Sequence, residues 1–141
     1  MTFPYSQSFL IEGNNFFNAG KAAAEIKAML RQLGIRAEVI RRVAIATYEA
    51  EMNVVMYARR AILTFNVTPE MISISVDDEG PGIPNVELAM REGYSTATDE
   101  MREMGFGAGM GLPNIKRNTD QLLINSVVGK GTRLDFTIHV S

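Results

Sequence analysis

Apolar residues recur at helical spacing from Phe16 to Leu33, at Phe16, Ala19, Ala23, Ile26, Leu30 and Leu33. This predicts one helix, entered through the break Gly13-Asn14-Asn15 and stopped at Gly34. Ahead of it, Tyr5 to Glu12 reads as a strand. A second, longer helix is predicted from about Ala37 to Ala58; its later part, from Val43, is mostly apolar and therefore buried. Arg60 to Asn66 reads as a strand, and Thr68-Pro69-Glu70 as a turn. Ile72, Ile74 and Val76 then alternate with Ser73 and Ser75, which is strand periodicity, and that strand ends in Asp77-Asp78.

The pattern changes after Glu79. Seven of the twelve glycines fall between Gly80 and Gly111, and only one short helix, about Asn85 to Arg91, fits in that stretch. A loop of this length inside a compact domain is a functional or a disordered segment. Leu112 to Thr119 reads as a helix with Pro113 in its first turn. The strands Gln121 to Val128 and Thr132 to Val140 follow, joined by Gly129-Lys130-Gly131. The order βααββ, loop, αββ predicts an α+β fold: a two-layer α/β sandwich with helices on one face of a mixed, mostly antiparallel sheet.

At 141 residues the chain fits one domain, and no repeat or linker divides it. A net charge of −2 gives no electrostatic grip on nucleic acid or on an anionic membrane. Without cysteine there are no disulfides, thiolate metal sites or thiol catalysis, which fits the cytoplasm. The N-terminus lacks the basic-then-apolar pattern of a signal peptide, and no apolar run reaches the ~18 residues of a membrane span.

Four clusters carry candidate chemistry. Glu49 and Asn53 are four residues apart and share a face of the second helix. A carboxylate among apolar neighbours needs a partner, and Mg²⁺ or a reacting hydroxyl would supply one. An Asn oxygen suits Mg²⁺ and a Glu suits proton abstraction, although the pair alone also reads as two polar residues on a partly wet face. Asp78-Glu79-Gly80-Pro81-Gly82 follows a strand. Its Asp can accept from an exocyclic amine such as that of adenine, and its glycines admit a flat ring, but alone it is also an ordinary turn. Gly105, Gly107, Gly109 and Gly111 alternate ahead of a helix. That arrangement offers N–H groups to phosphate, yet matches neither a P-loop nor a Rossmann fingerprint. Gly129-Lys130-Gly131-Thr132 is by itself a hairpin turn.

In this order and spacing the four clusters resemble the GHKL ATPases, the superfamily of DNA gyrase, heat-shock chaperones, histidine kinases and MutL. The likeness covers roughly the whole chain. Its size, with Gly93-Tyr94-Ser95-Thr96 and Gly109-Met110-Gly111-Leu112-Pro113-Asn114-Ile115-Lys116-Arg117, resembles the bacterial anti-sigma-factor serine/threonine kinases of the RsbW, RsbT and SpoIIAB type. The resemblance implies ATP and Mg²⁺ as cofactors, Asn53 as the Mg²⁺ ligand and Glu49 as general base toward a substrate serine. It implies Asp78 on the adenine amine, helped by the Thr132 hydroxyl. Gly80 and Gly82 would shape that pocket, and a lid over about residues 94–111, with Gly105 to Gly111, would cover the phosphates. The implied partners are a STAS-domain anti-sigma-factor antagonist as protein substrate and a sigma factor, with homodimers common in similar kinases. Two features depart from the family: a long lid, Ser95 to Met110, and the acidic Asp77 beside Asp78; Arg102 and Lys116 are near enough to be phosphate contacts but read first as solvated charges.

An ATP-dependent binding module without catalysis is the alternative, separated from a kinase by the need for Glu49. A self-phosphorylating histidine kinase is not expected, because the single histidine, His139, falls in the last strand and no dimerisation helix is visible ahead of the domain.

Overall fold

The computed structural model describes residues 4–91 and 111–141. A five-stranded sheet carries two long helices and one short one on a single face. The strands are β1 (Tyr5–Glu12), β2 (Arg60–Val67), β3 (Met71–Glu79), β4 (Gln121–Val127) and β5 (Gly131–His139), in the order β1-β2-β3-β5-β4. All four pairings are antiparallel, so among the described strands the sheet is not mixed as expected. Alternation sends Ile11, Ala61, Leu63, Phe65, Val67, Ile72, Ile74, Val76, Leu134, Phe136 and Ile138 into one continuous core. The opposite face is mostly polar but also exposes Leu10, Ile62, Leu123 and Val127.

Helix α1 (Lys21–Gln32) buries Ala22, Ala23, Ile26 and Leu30, and α2 (Ala37–Tyr57) buries a stripe from Val39 to Val55. Gly34, at φ +77°, closes α1. Its N–H reaches Arg31 O at 3.1 Å and the Ile35 N–H reaches Leu30 O at 3.1 Å, a Schellman termination. The predicted single helix Phe16–Leu33 is interrupted, however. Phe16–Asn18 is one 3₁₀ turn, Ala19 is extended, and Gly20 sits at φ +92° before α1 begins.

The interruption has its cause in another helix. The Glu51 side chain, on the buried stripe of α2, accepts from the N–H groups of Gly20 (3.0 Å), Ala22 (3.2 Å) and Ala23 (3.0 Å). Its carboxylate thus takes the place of an N-cap side chain, which Gly20 lacks, and places negative charge at the positive end of α1.

The short helices are α3 (Val86–Ala89), capped by the Asn85 side chain on Leu88 N–H at 3.0 Å, and α4 (Gly111–Arg117). Helix α4 buries Leu112, Pro113 and Ile115 and lies along α2. Asp120 accepts from the His139 N–H (2.7 Å) and from Arg42 (3.1 Å), which ties α2 to the β4–β5 edge.

A candidate nucleotide site between α2, α4 and the β3–β5 strand ends

Glu49 and Asn53 lie on the side of α2 that α4 covers. A side chain on Gly111, the first residue of α4, would start 3.1 Å from Asn53 Oδ1 and 3.6 Å from Glu49 Oε2. The backbone at Gly111 therefore comes close to both polar groups, and only a residue without a side chain fits there unless they shift. Glu49 is half-buried, and burial pushes its carboxyl above the usual Glu range; a hydrogen bond from the Asn114 side chain on α4 works in the opposite direction. Asn114 is a site residue that the sequence pattern did not mark.

The second group forms where β3 leaves the sheet. Strand β3 runs on to Glu79, so Asp77 and Asp78 lie inside it rather than at its end. Strand alternation separates them: Asp77 faces the open side, 3.7 Å from Arg133, whereas Asp78 is half-buried on the helix side. Burial raises the Asp78 carboxyl, the Thr132 N–H lowers it, and Asp77 raises it further.

Thr132 does meet Asp78, but through its backbone. The N–H donates to Asp78 Oδ1 at 2.9 Å, while the hydroxyl is 2.8 Å from Ser126 Oγ. The Ser126 hydroxyl also accepts from the Ile83 N–H at 2.7 Å, so it binds the β3-exit loop to β4 and β5. Ser126 carries no mark in the sequence: Thr132 and Gly131 lie across its own hairpin, but the Ile83 N–H that it also binds comes from 43 residues away. The glycines here have steric reasons. A Cβ on Gly82 (φ +76°) would sit 2.5 Å from Val127 O, and one on Gly131 (φ +153°) 2.0 Å from Asp78 O. Gly80 packs on Ala58 at the end of α2. Ala58 is about 7–8 Å further along the helix than Asn53, at 1.5 Å per residue, so α2 links the two groups.

Gly105, Gly107 and Gly109, Arg102, and all of the expected lid except Gly111, lie outside the described residues. Lys116 is exposed on α4.

A Glu-and-Asn helix on an antiparallel sheet, with an inward Asp at a strand exit and glycines packed around it, defines an ATPase of the histidine kinase-like class. The family model described as "Histidine kinase-like ATPase domain" matches residues 17–138, and the chain belongs to that family. It is 31% identical over 108 residues to "Serine/threonine-protein kinase RsbT" of Bacillus subtilis, covering 74% of this chain and 75% of that one. It is 32% identical over 128 residues to "Anti-sigma F factor" of Caldanaerobacter subterraneus subsp. tengcongensis, covering 87% and 86%. In fold it resembles a crystal structure of RsbU and RsbW domains from Mycobacterium tuberculosis, with TM-score 0.64 and 14% identity over 95% of this chain; it spans 31% of that chain. Among the described residues no helix is long and apolar enough to cross a membrane.

Proposed function

We propose that this domain, residues 1–141 with a lid at about 94–111, is an ATP-dependent serine/threonine protein kinase. Its substrate is a small STAS-type antagonist of an anti-sigma factor, and it acts as a cytoplasmic regulatory switch that also binds a sigma factor. The observation that carries this reading is Glu49: a half-buried carboxylate of raised proton affinity, one helical turn from Asn53 on α2, with both beside Gly111 at the start of α4. The name of the RsbT relative supports the class of reaction, and that of the anti-sigma F factor supports the regulatory role.

Glu49 takes the proton of a substrate serine hydroxyl. That oxygen forms a bond to the γ-phosphorus, the bond from the γ-phosphorus to the β–γ bridging oxygen breaks, and its electron pair leaves on ADP. A base of raised proton affinity suits this step, since transfer is best when its pKa approaches the working pH. Asp78, held by Thr132, would accept from the adenine amine. For Mg²⁺ the donor chemistry fits: Asn53 offers a hard amide oxygen beside the Glu49 carboxylate. When bound, the ion neutralises charge on the β- and γ-phosphates.

The test is the intact mass of a STAS-domain protein encoded near this gene after incubation with the chain and Mg-ATP. Wild type should add one phosphate and Glu49→Gln none. ATP binding without any phosphate transfer by the wild type would favour the non-catalytic ATP-dependent module instead.

A further inference from the structure

Strand β4 ends the sheet, and among the described residues no strand pairs with its outer edge. Every second residue of such an edge turns its N–H and C=O outward, a template for another strand. Proteins guard these edges with a charge, a proline or a bulge. The segment Gln121-Leu122-Leu123-Ile124-Asn125-Ser126-Val127 has no charge and no proline, and its pairing with β5 runs unbroken from end to end. The edge is also apolar on both sides. Leu123 and Val127, on the open face, are 53% and 55% exposed. On the helix side Leu122 and Ile124 stay half-buried, although their register partners on β5, Phe136 and Leu134, are buried. The other edge, β1, follows Pro4, ends in Glu12 and shows Ser6 and Ser8 on its open face.

We propose that the outer edge of β4 pairs antiparallel with β4 of a second copy of this chain, about a two-fold axis at Ile124, so that the two sheets become one. A strand edge selects a strand, and the composition of β4 selects itself. An axis at Ile124 aligns all seven residues: Ile124 meets its own copy, Leu123 meets Asn125, Leu122 meets Ser126 and Gln121 meets Val127. An axis at Leu123 or Asn125 would pair only 121–125 or 123–127. No like charges meet along the ladder, and a β-branched pair stands at its centre. Asp120 precedes the strand and Lys130 follows it, so each end of the pair brings opposite charges toward one another. The contact uses the same patch on both copies and therefore closes at two. It does not depend on the reading of Glu49, since Glu49, Asn53 and Asp78 all lie on other elements.

The experiment combines analytical ultracentrifugation of the full chain without nucleotide and cross-linking through introduced thiols. The chain should sediment at twice the monomer mass. Leu123→Lys, at an exposed position, sets two like charges diagonally across the ladder and should weaken the dimer at least about tenfold. Leu123→Thr, neutral and strand-forming, should keep it. Thermal melting of the diluted variants separates misfolding from dissociation. The chain has no cysteine, so one introduced thiol reports the register. Ile124→Cys puts two thiols directly opposite, where cross-strand Cβ atoms are about 4.5–5.5 Å apart, within a small shift of disulfide geometry. Mild oxidation should turn most of that variant into a covalent dimer and leave Leu10→Cys, on the β1 edge, largely monomeric under denaturing conditions. A monomer at every concentration up to the solubility limit would overturn the proposal. So would a dimer that Leu123→Lys leaves intact, or one that cross-links through Leu10→Cys, because the interface would then lie elsewhere. Preferential cross-linking of Leu123→Cys or Asn125→Cys over Ile124→Cys would overturn the register.

Discussion

Glu49 and Glu51 are two residues apart on α2 and meet opposite surroundings. Glu51 is 3% exposed, yet its charge is matched by three backbone N–H groups at a helix N-terminus. Glu49 is half-buried and receives an Asn114 amide, which does not offset the lost hydration, so its carboxyl is raised. That shift has a stability consequence. Between its ordinary value and its raised folded value the folded state holds more protons than the unfolded chain, so the wild type loses stability as pH rises through that window. Glu49→Gln has no such loss. Without nucleotide, its melting temperature should exceed that of the wild type by a few degrees at neutral pH, the difference closing as pH falls below the ordinary Glu range. An equal or lower melting temperature at pH 7 would contradict the assignment of the shift to burial. Glu49 was legible in the sequence because Asn53 follows it at one helical turn. Glu51 was not, since its partners are main-chain groups some thirty residues away, although a charge on the stripe of Val43, Thr47, Ala50 and Val54 was a usable sign.

Helix and strand limits were readable where local chemistry sets them. Gly34 stops α1, Asn85 caps α3, and the Ser/Ile alternation after Met71 gave β3 its two faces. The start of α1 was misplaced because apolar periodicity runs on through Phe16 and Ala19, while the real boundary is set by Glu51 across the helix pair. Removing that carboxylate should therefore act on one element before the rest. Glu51→Ala leaves the Ala22 and Ala23 N–H groups buried without acceptors and should destabilise by about 2–4 kcal/mol. Urea denaturation measures the total, and hydrogen exchange should show the α1 N-terminus losing protection first. A cost below about 0.5 kcal/mol would mean that water replaces the cap. Glu51→Gln retains one acceptor oxygen and should fall between the two.

At the scale of the molecule, the hairpins β2–β3 and β4–β5 followed from their turns, but the central β3–β5 pairing did not, since those strands are far apart in sequence and nothing local encodes their register. That pairing is what brings Thr132 to Asp78 and completes the expected adenine side of the site. The two groups of site residues are therefore held by different parts of one continuous core: α2 with α4 on one side, the β3–β5 strand ends on the other. A ligand that bridges them must stabilise the whole domain, not one segment. The chain should unfold in a single thermal transition, and Mg-ATP at a hundredfold excess over its dissociation constant should add about 2.7 kcal/mol, moving that transition upward as one step. Asp78→Asn should keep the single transition and abolish most of the shift, because a carboxamide turned to accept from the Thr132 N–H directs its NH₂, not an acceptor, toward the adenine amine. Two separate transitions would break the single-domain reading. An unchanged ATP shift in Asp78→Asn would remove Asp78 from nucleotide recognition and leave it a strand-end brace for β5.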